Sequence, residues 1–295
     1  MITIFEYAAL SQHTYYPNSD LFGIKPRQYK LTKINVHEKS RHGWYQITDI
    51  VENMYPARPF YAQLYVKFMH GTPIVGVVAF RGTKANLIDN DAVDYHSWIS
   101  DVLGNGEHDK IPKYFFSARF FFRDAFSYLC DTLHCLNVKV TGHSLGGALA
   151  QLMPAVSGFP AKAIAFNSPG VGHMPGVQEK YGVKITNINS RYGFVNKVGK
   201  TIGEVLYIDV PNEEALAKQA LEDYACIKGL KEEIKKAKTD MERAKLYFYL
   251  ALETKMTDSD MATDFAISAK AQHSIDNVVQ TLREKSYNNV AYLKV

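Results

Sequence analysis

The clearest alternation of apolar and polar residues runs through Ala62-Gln-Leu-Tyr-Val-Lys-Phe68, the signature of a half-buried strand. His70-Gly-Thr-Pro73 supplies turn residues, and Ile74-Val-Gly-Val-Val-Ala-Phe80 is almost unbroken apolar sequence. Together they predict a hairpin whose second strand is covered on both faces. A β-branched run from Val138 to Thr141 then gives way to Gly142-His-Ser-Leu-Gly146 and to small apolar residues, which predicts strand, tight turn and helix. Further strands are expected at Ala163–Phe166, Val183–Ile188 and Glu204–Val210, with an edge strand at Trp44–Ile50. Helices are expected at Phe5–Tyr16 and Phe115–His134. In the second, Phe116, Phe120, Arg123, Phe126, Leu129 and Leu133 recur near helical spacing and read as the face packed on the sheet. Strands alternating with helices predict an α/β fold with a mostly parallel central sheet.

From 213 to about 256 the pattern changes. Leu216, Ala220, Tyr224, Ile227, Ile234, Ala237, Met241, Ala244, Phe248 and Leu252 recur every three or four residues among many Lys and Glu. This predicts a long amphipathic helix, or a pair broken near Gly229, inserted into the domain. Ala271-Gln-His-Ser-Ile-Asp-Asn-Val-Val-Gln-Thr-Leu282 opens a terminal helix. With no repeat and no low-complexity linker, residues 1–295 read as one domain with a helical insertion at about 213–256.

Composition changes this picture little. The chain has 295 residues, 46% of them hydrophobic, which suits one large α/β domain. A net charge of +4 is a mildly basic balance, compatible with an anionic membrane surface. No nucleic-acid partner is expected. Cys130, Cys135 and Cys226 have no metal or disulfide spacing and read as free thiols. No apolar run reaches about 18 residues, and the N-terminus lacks the basic and apolar regions of a secretory signal. The expectation is a protein that is soluble and cytoplasmic as made, with any export by a signal-independent route.

Candidate chemistry centres on Gly142-His-Ser-Leu-Gly146, a G-x-S-x-G sequence between a predicted strand and a predicted helix. That context is what a nucleophile elbow requires, with the Ser144 hydroxyl lifted above the sheet beside a helix N-terminus. A serine needs a base to take its proton. In this architecture the order is Ser, acid, His, which leaves His173 and His273 of ten histidines once His143, beside the nucleophile, is set aside. His173 follows closely on Ser168-Pro-Gly170 and reads as a loop residue, so His273 is assigned the base. The oxyanion hole needs two backbone N–H groups. Leu145, next after the nucleophile, supplies one, and Thr83, after the strand ending at Phe80-Arg-Gly-Thr83, the other. No metal or organic cofactor is required.

Ala79-Phe-Arg-Gly-Thr83, Trp98-Ile-Ser-Asp101, Val140-Thr-Gly-His-Ser-Leu-Gly-Gly-Ala148, Ala165-Phe-Asn-Ser-Pro-Gly170 and Ala271-Gln-His-Ser274 resemble the fungal-type, or class 3, lipase family, and its bacterial members in particular. The resemblance runs from about residue 60 to 282, outside the 213–256 insertion. It implies an α/β-hydrolase fold, hydrolysis of fatty acyl esters of lipids by Ser144 and His273, and a mobile lid over Lys84 to Ser97. Its bacterial members include phospholipases A1 and lipase toxins delivered into rival cells. It therefore implies a lipid or phospholipid substrate, a peripheral membrane contact and an inhibitor or immunity protein as partner.

One departure stands out. The family's acid follows the strand at Val183–Ile188 in an Asp-x-Val motif, where this chain has Gly193 within Asn189-Ser-Arg-Tyr-Gly-Phe-Val195. Without an acid, the histidine's tautomer and its imidazolium lose support, a loss on the order of 10⁴ in rate. Three readings stay open. Asp209, ending Tyr207-Ile-Asp209, orients His273; a backbone carbonyl or an amide such as Asn189 does so; or the chain is an attenuated relative that binds lipid or a partner protein.

Overall fold

The first hairpin pairs β3 (Ala62–Met69) with β4 (Thr72–Phe80) in antiparallel register. Its turn is tighter than the sequence predicts: only His70 and Gly71 lie outside the strands, and Pro73 pairs within β4. Both turn residues have positive φ, 50° and 81°, as a two-residue loop matched to strand twist requires. In this computed structural model the described residues are 2–17, 19, 21, 27–29, 42–47, 61–82, 113–157, 160–174, 176–177, 184–193, 195–197, 199–212, 214–215 and 274–287. The predicted insertion at 213–256 and the predicted lid at 84–97 lie outside them, apart from residues 214–215.

Around that hairpin an eight-stranded sheet forms among the described residues, with neighbours in chain order. β1 (Arg27–Tyr29) is parallel to β2 (Gly43–Ile47), and β2 is antiparallel to β3. From β4 onward, through β5 (Val138–His143), β6 (Lys162–Phe166), β7 (Lys184–Ser190) and β8 (Glu204–Ile208), every pairing is parallel. The Trp44 strand is therefore flanked on both sides rather than at the edge.

Crossovers that step one way along a parallel sheet, all right-handed, leave their helices on one face. Accordingly α2 (Lys113–Ser127), between β4 and β5, packs against α3 (Leu145–Ser157), between β5 and β6. Val78, Phe80, Val138 and Val140 face them. The opposite face, carrying Val77, Ala79, Ile164, Phe166 and Ile188, is closed by the two ends of the chain: α1 (Ile4–His13) packs on α4 (Ile275–Tyr287). β4 is buried on both sides from Val75 on, which accounts for its continuous apolar run.

The aromatic helix corrects one expectation. Phe115, Ala118, Phe121, Phe122, Ala125 and Leu129 form its buried face, whereas Phe116 and Phe120 are 48% and 45% exposed. The expected stripe holds in its second half, where Leu129 and Leu133 lie in the core with Phe126 against it, and fails in its first, where five phenylalanines between 115 and 122 let spacing alone permit more than one buried face.

Candidate active site

Each parallel strand delivers its C-terminal residues to the same end of the sheet, where open α/β sheets bind ligands. Ser144 sits there, between β5 and α3, with φ +57°. A non-glycine residue in the left-handed region is strained and persists where its surroundings enforce it. Here the Ser144 N–H donates to the Phe166 carbonyl at 3.0 Å, and its carbonyl accepts from the Gly147 and Ala148 N–H groups. The turn also needs clearance. A Cβ on Gly142 would overlap the Gly146 carbonyl, and one on Gly146 would overlap the Phe80 carbonyl. β4, β5 and α3 thus meet at backbone contact, and only glycine fits there.

Leu145 opens α3, so its N–H lies among the first-turn groups that have no intrahelical acceptor. Arg81 and Gly82 extend from β4 alongside. Arg81 donates its N–H to the Tyr61 carbonyl at 3.0 Å, and its guanidinium lies 4.7 Å from the Tyr61 ring centre. Burial lowers the Arg81 pKa, partly opposed by the Tyr61 and Tyr15 hydroxyls. Thr83 and His273 lie outside the described residues. His273 directly precedes Ser274, whose Oγ accepts from the Asp276 N–H at 3.1 Å and caps the start of α4. Asp276 stands in that helix's first turn, where a carboxylate complements the helix dipole.

His143, beside the nucleophile, is buried, with Nδ1 3.0 Å from the Tyr15 hydroxyl. This tyrosine is a site residue that motif reading missed. Its hydroxyl presses on Gly82, where a Cβ would collide with it and would also lie 2.6 Å from the His143 carbonyl and 3.1 Å from Ser144 Cβ. The N-terminal segment reaches the site because α1 is pinned beneath it. Ser11 Oγ is 3.0 Å from Thr141 Oγ1 on β5, and Gln12 Nε2 donates to Asp276 Oδ1 at 2.8 Å.

Gly193, where the resemblance leads one to expect an acid, is closely packed. Gly193 is buried, and a Cβ there would stand 2.6 Å from both Ser190 Oγ and Asn196 Nδ2. Asn196 Nδ2 donates to the Ser190 carbonyl at 2.9 Å, while Asn167 Oδ1 accepts from the Ser190 N–H at 2.6 Å. Asn167, with φ +42°, ties the loop after β6 to that after β7. Asn189 on β7 is 2% exposed, and its Oδ1 is a buried acceptor without a hydrogen-bond partner among the described residues. Asp209 follows β8, three strand spacings or roughly 14 Å from β5. Its carboxylate is 69% exposed and accepts from Arg191 Nε at 2.7 Å.

Residues 77–175, from mid-β4 past β6, match the family model of lipase (class 3). That stretch holds Arg81, Gly82, the elbow and Asn167, and spans about a third of the chain. No curated protein matches the sequence significantly. Among solved structures, the chain is similar to a Rhizomucor miehei lipase in a propeptide complex at 15% identity, covering 69% of this chain and 65% of that one, TM-score 0.41. It thus spans somewhat less than two thirds of that lipase. A nonglycosylated Yarrowia lipolytica lipase aligns at 17% identity over 70% and 78%, TM-score 0.43. A lipase from Rhizopus microsporus var. chinensis aligns at 17% over 69% and 72%, TM-score 0.40. Likenesses this distant leave the architecture resting on the sheet itself. Among the described residues, no helix is long and apolar enough to cross a membrane.

Proposed function

We propose that this chain is a serine hydrolase of fatty acyl esters in lipids. Ser144 Oγ attacks the ester carbonyl carbon while His273 takes its proton. The resulting oxyanion accepts from the Leu145 and Thr83 N–H groups. As the tetrahedral species collapses, the ester C–O bond breaks and His273 returns the proton to the departing alcohol. Water, deprotonated by the same histidine, then attacks the acyl-enzyme and releases the fatty acid. No metal or cofactor enters these steps. The observation that carries this reading is Ser144 at positive φ at a strand–helix junction, cleared by Gly142 and Gly146, within the segment that matches the lipase family model.

Two groups compete to orient His273. Asp209 is the carboxylate at the right end of the sheet, although Arg191 engages it in the open. Asn189 offers a buried acceptor, unbonded among the described residues, on the strand before Gly193. The basic balance of the chain favours phospholipid, by a phospholipase A route, over triacylglycerol. A role as an effector exported without a secretory signal and countered by an immunity protein rests on the resemblance to bacterial lipases alone.

Gly193 supports one alternative: a lipase-fold protein that binds lipid or a partner with little turnover. One assay separates the readings: fatty acid release from short-chain esters and phospholipid vesicles. Ser144→Ala is expected to lower the rate at least about 10³-fold. Equal rates in both proteins, or none in either, would remove the enzyme. In the same assay, loss in Asp209→Ala with Asn189→Ala unaffected assigns the orienting role to the carboxylate, and the reverse assigns it to the amide.

A further inference from the structure

We infer that the outward face of α2 docks on an anionic phospholipid membrane and so brings the Ser144 end of the sheet to that surface. The purpose rests on the hydrolase reading; the docking itself does not. Phe116 and Phe120, one helical turn apart, are about half exposed, and the exposed Arg119 and Arg123 lie between and beyond them. The Arg123 guanidinium lies 5.3 Å from the Phe120 ring centre. The opposite face of α2 already fills the core with Phe115, Phe121 and Phe122, so the exposed pair is not needed for packing against the sheet. Two phenylalanines on adjacent turns give up apolar burial by facing water. Aromatic and arginine residues sharing one helix face match an interfacial helix: rings enter the acyl boundary and guanidinium groups meet phosphates.

The location fits. Gly76 on β4 pairs with Val138 on β5, and a Cβ on Gly76 would collide with Leu129 near the bottom of the helical crossover. Phe116 lies thirteen residues before Leu129, roughly 20 Å of helix rise. Ser144 lies six residues beyond Val138, roughly 20 Å of strand rise. The crossover runs antiparallel to the strands it joins, so both stand at the same end of the molecule.

Charge complementarity selects the occupant. Asp124 is exposed enough that its pair with Arg123, at 2.9 Å, is a weak surface contact that leaves the guanidinium free to exchange it for phosphate. Two phenylalanines and two arginines would cover a few hundred Å², roughly half of the ~800 Å² per partner typical of a stable protein complex. A bilayer needs no such matched area.

The test uses the full chain carrying Ser144→Ala, so that vesicles stay intact, and measures co-sedimentation with phosphatidylcholine vesicles with and without phosphatidylglycerol. The parent is expected to bind the phosphatidylglycerol vesicles, and Phe116→Ser/Phe120→Ser to weaken that binding about tenfold or more. Arg119→Glu/Arg123→Glu should remove the preference for phosphatidylglycerol. In the Ser144 background, Phe116→Ser/Phe120→Ser should leave hydrolysis of a soluble short-chain ester unchanged, so docking and catalysis can fail separately. Unaltered vesicle binding by the variants, or no binding by the parent, would overturn the inference. A large fall in the variant's melting temperature would mean that the chain itself covers this face. Conversion of a dimer to a monomer in sedimentation would mean that a second copy does.

Discussion

The Tyr15 hydroxyl occupies the narrow space between Gly82, after β4, and the elbow, touching Gly82 and reaching His143 Nδ1. Neither partner is assigned a reacting role, so its contribution is to hold Gly82 beside Ser144 at the start of the loop proposed to supply the second oxyanion N–H. Removing one such hydrogen bond costs about 1 kcal/mol, or about fivefold in rate. Tyr15→Phe is therefore expected to lower kcat about fivefold at unchanged KM, and a change confined to KM would contradict the positioning role. At Gly193 the expectation runs against simple restoration of an acid. Because the Cβ position is taken by Ser190 and Asn196, Gly193→Asp should destabilise by about 1–3 kcal/mol of overpacking without raising activity. A thermal melt with the ester assay checks it, and a stable variant with higher turnover would show that the pocket opens at little cost. Motif spacing made Ser144 and its glycines legible. Tyr15 was not, because its contact with His143 joins residues 128 apart in sequence and no local pattern encodes it.

Among the elements, α1 fastens the site from below, and its fastening is pH-dependent. Burial lowers the pKa of His13, whose Nδ1 lies 2.7 Å from the Tyr65 hydroxyl. Below the ordinary value of 6.5 the unfolded chain therefore takes up a proton that the folded chain refuses. Stability falls from that pH downward until the folded ring itself protonates. Burial of Glu6 opposes its ionisation, yet bonds from Lys67, Thr3 and Trp44 outweigh this and leave its pKa lowered. Its share is present above the ordinary value of 4.5 and is lost as pH falls through the lower folded value. Both effects weaken α1 in acid. Urea midpoints should decline between about pH 7 and pH 5, and His13→Gln should flatten that stretch; an equal decline in the variant would place the titrating group elsewhere. The strands were legible because period two and buried apolar runs mark them strongly. The phase of α2 was not: with Phe115, Phe116, Phe120, Phe121 and Phe122 in two turns, only the sheet decides which rings are covered.

At the scale of the molecule, alternating strands and helices announced the parallel sheet, and chain-order crossovers put α2 and α3 on one face. The closing of the other face by α1 and α4 was not legible. It depends on contacts such as Gln12 to Asp276, 264 residues apart, and no periodicity reports such a pairing. This closure links the three parts of the proposed machinery: α1 bonds β5 below the elbow, Tyr15 braces the oxyanion loop, and Gln12 holds the helix that begins two residues after His273. The central claim is an activated serine at the elbow, and an acyl-mimicking fluorophosphonate tests it most directly, because it bonds only a serine whose proton a base can take. Intact-protein mass spectrometry should find one adduct, peptide mapping should locate it on Ser144, and His273→Ala should suppress it. Absence of labelling, or an adduct that persists in Ser144→Ala, would contradict the account.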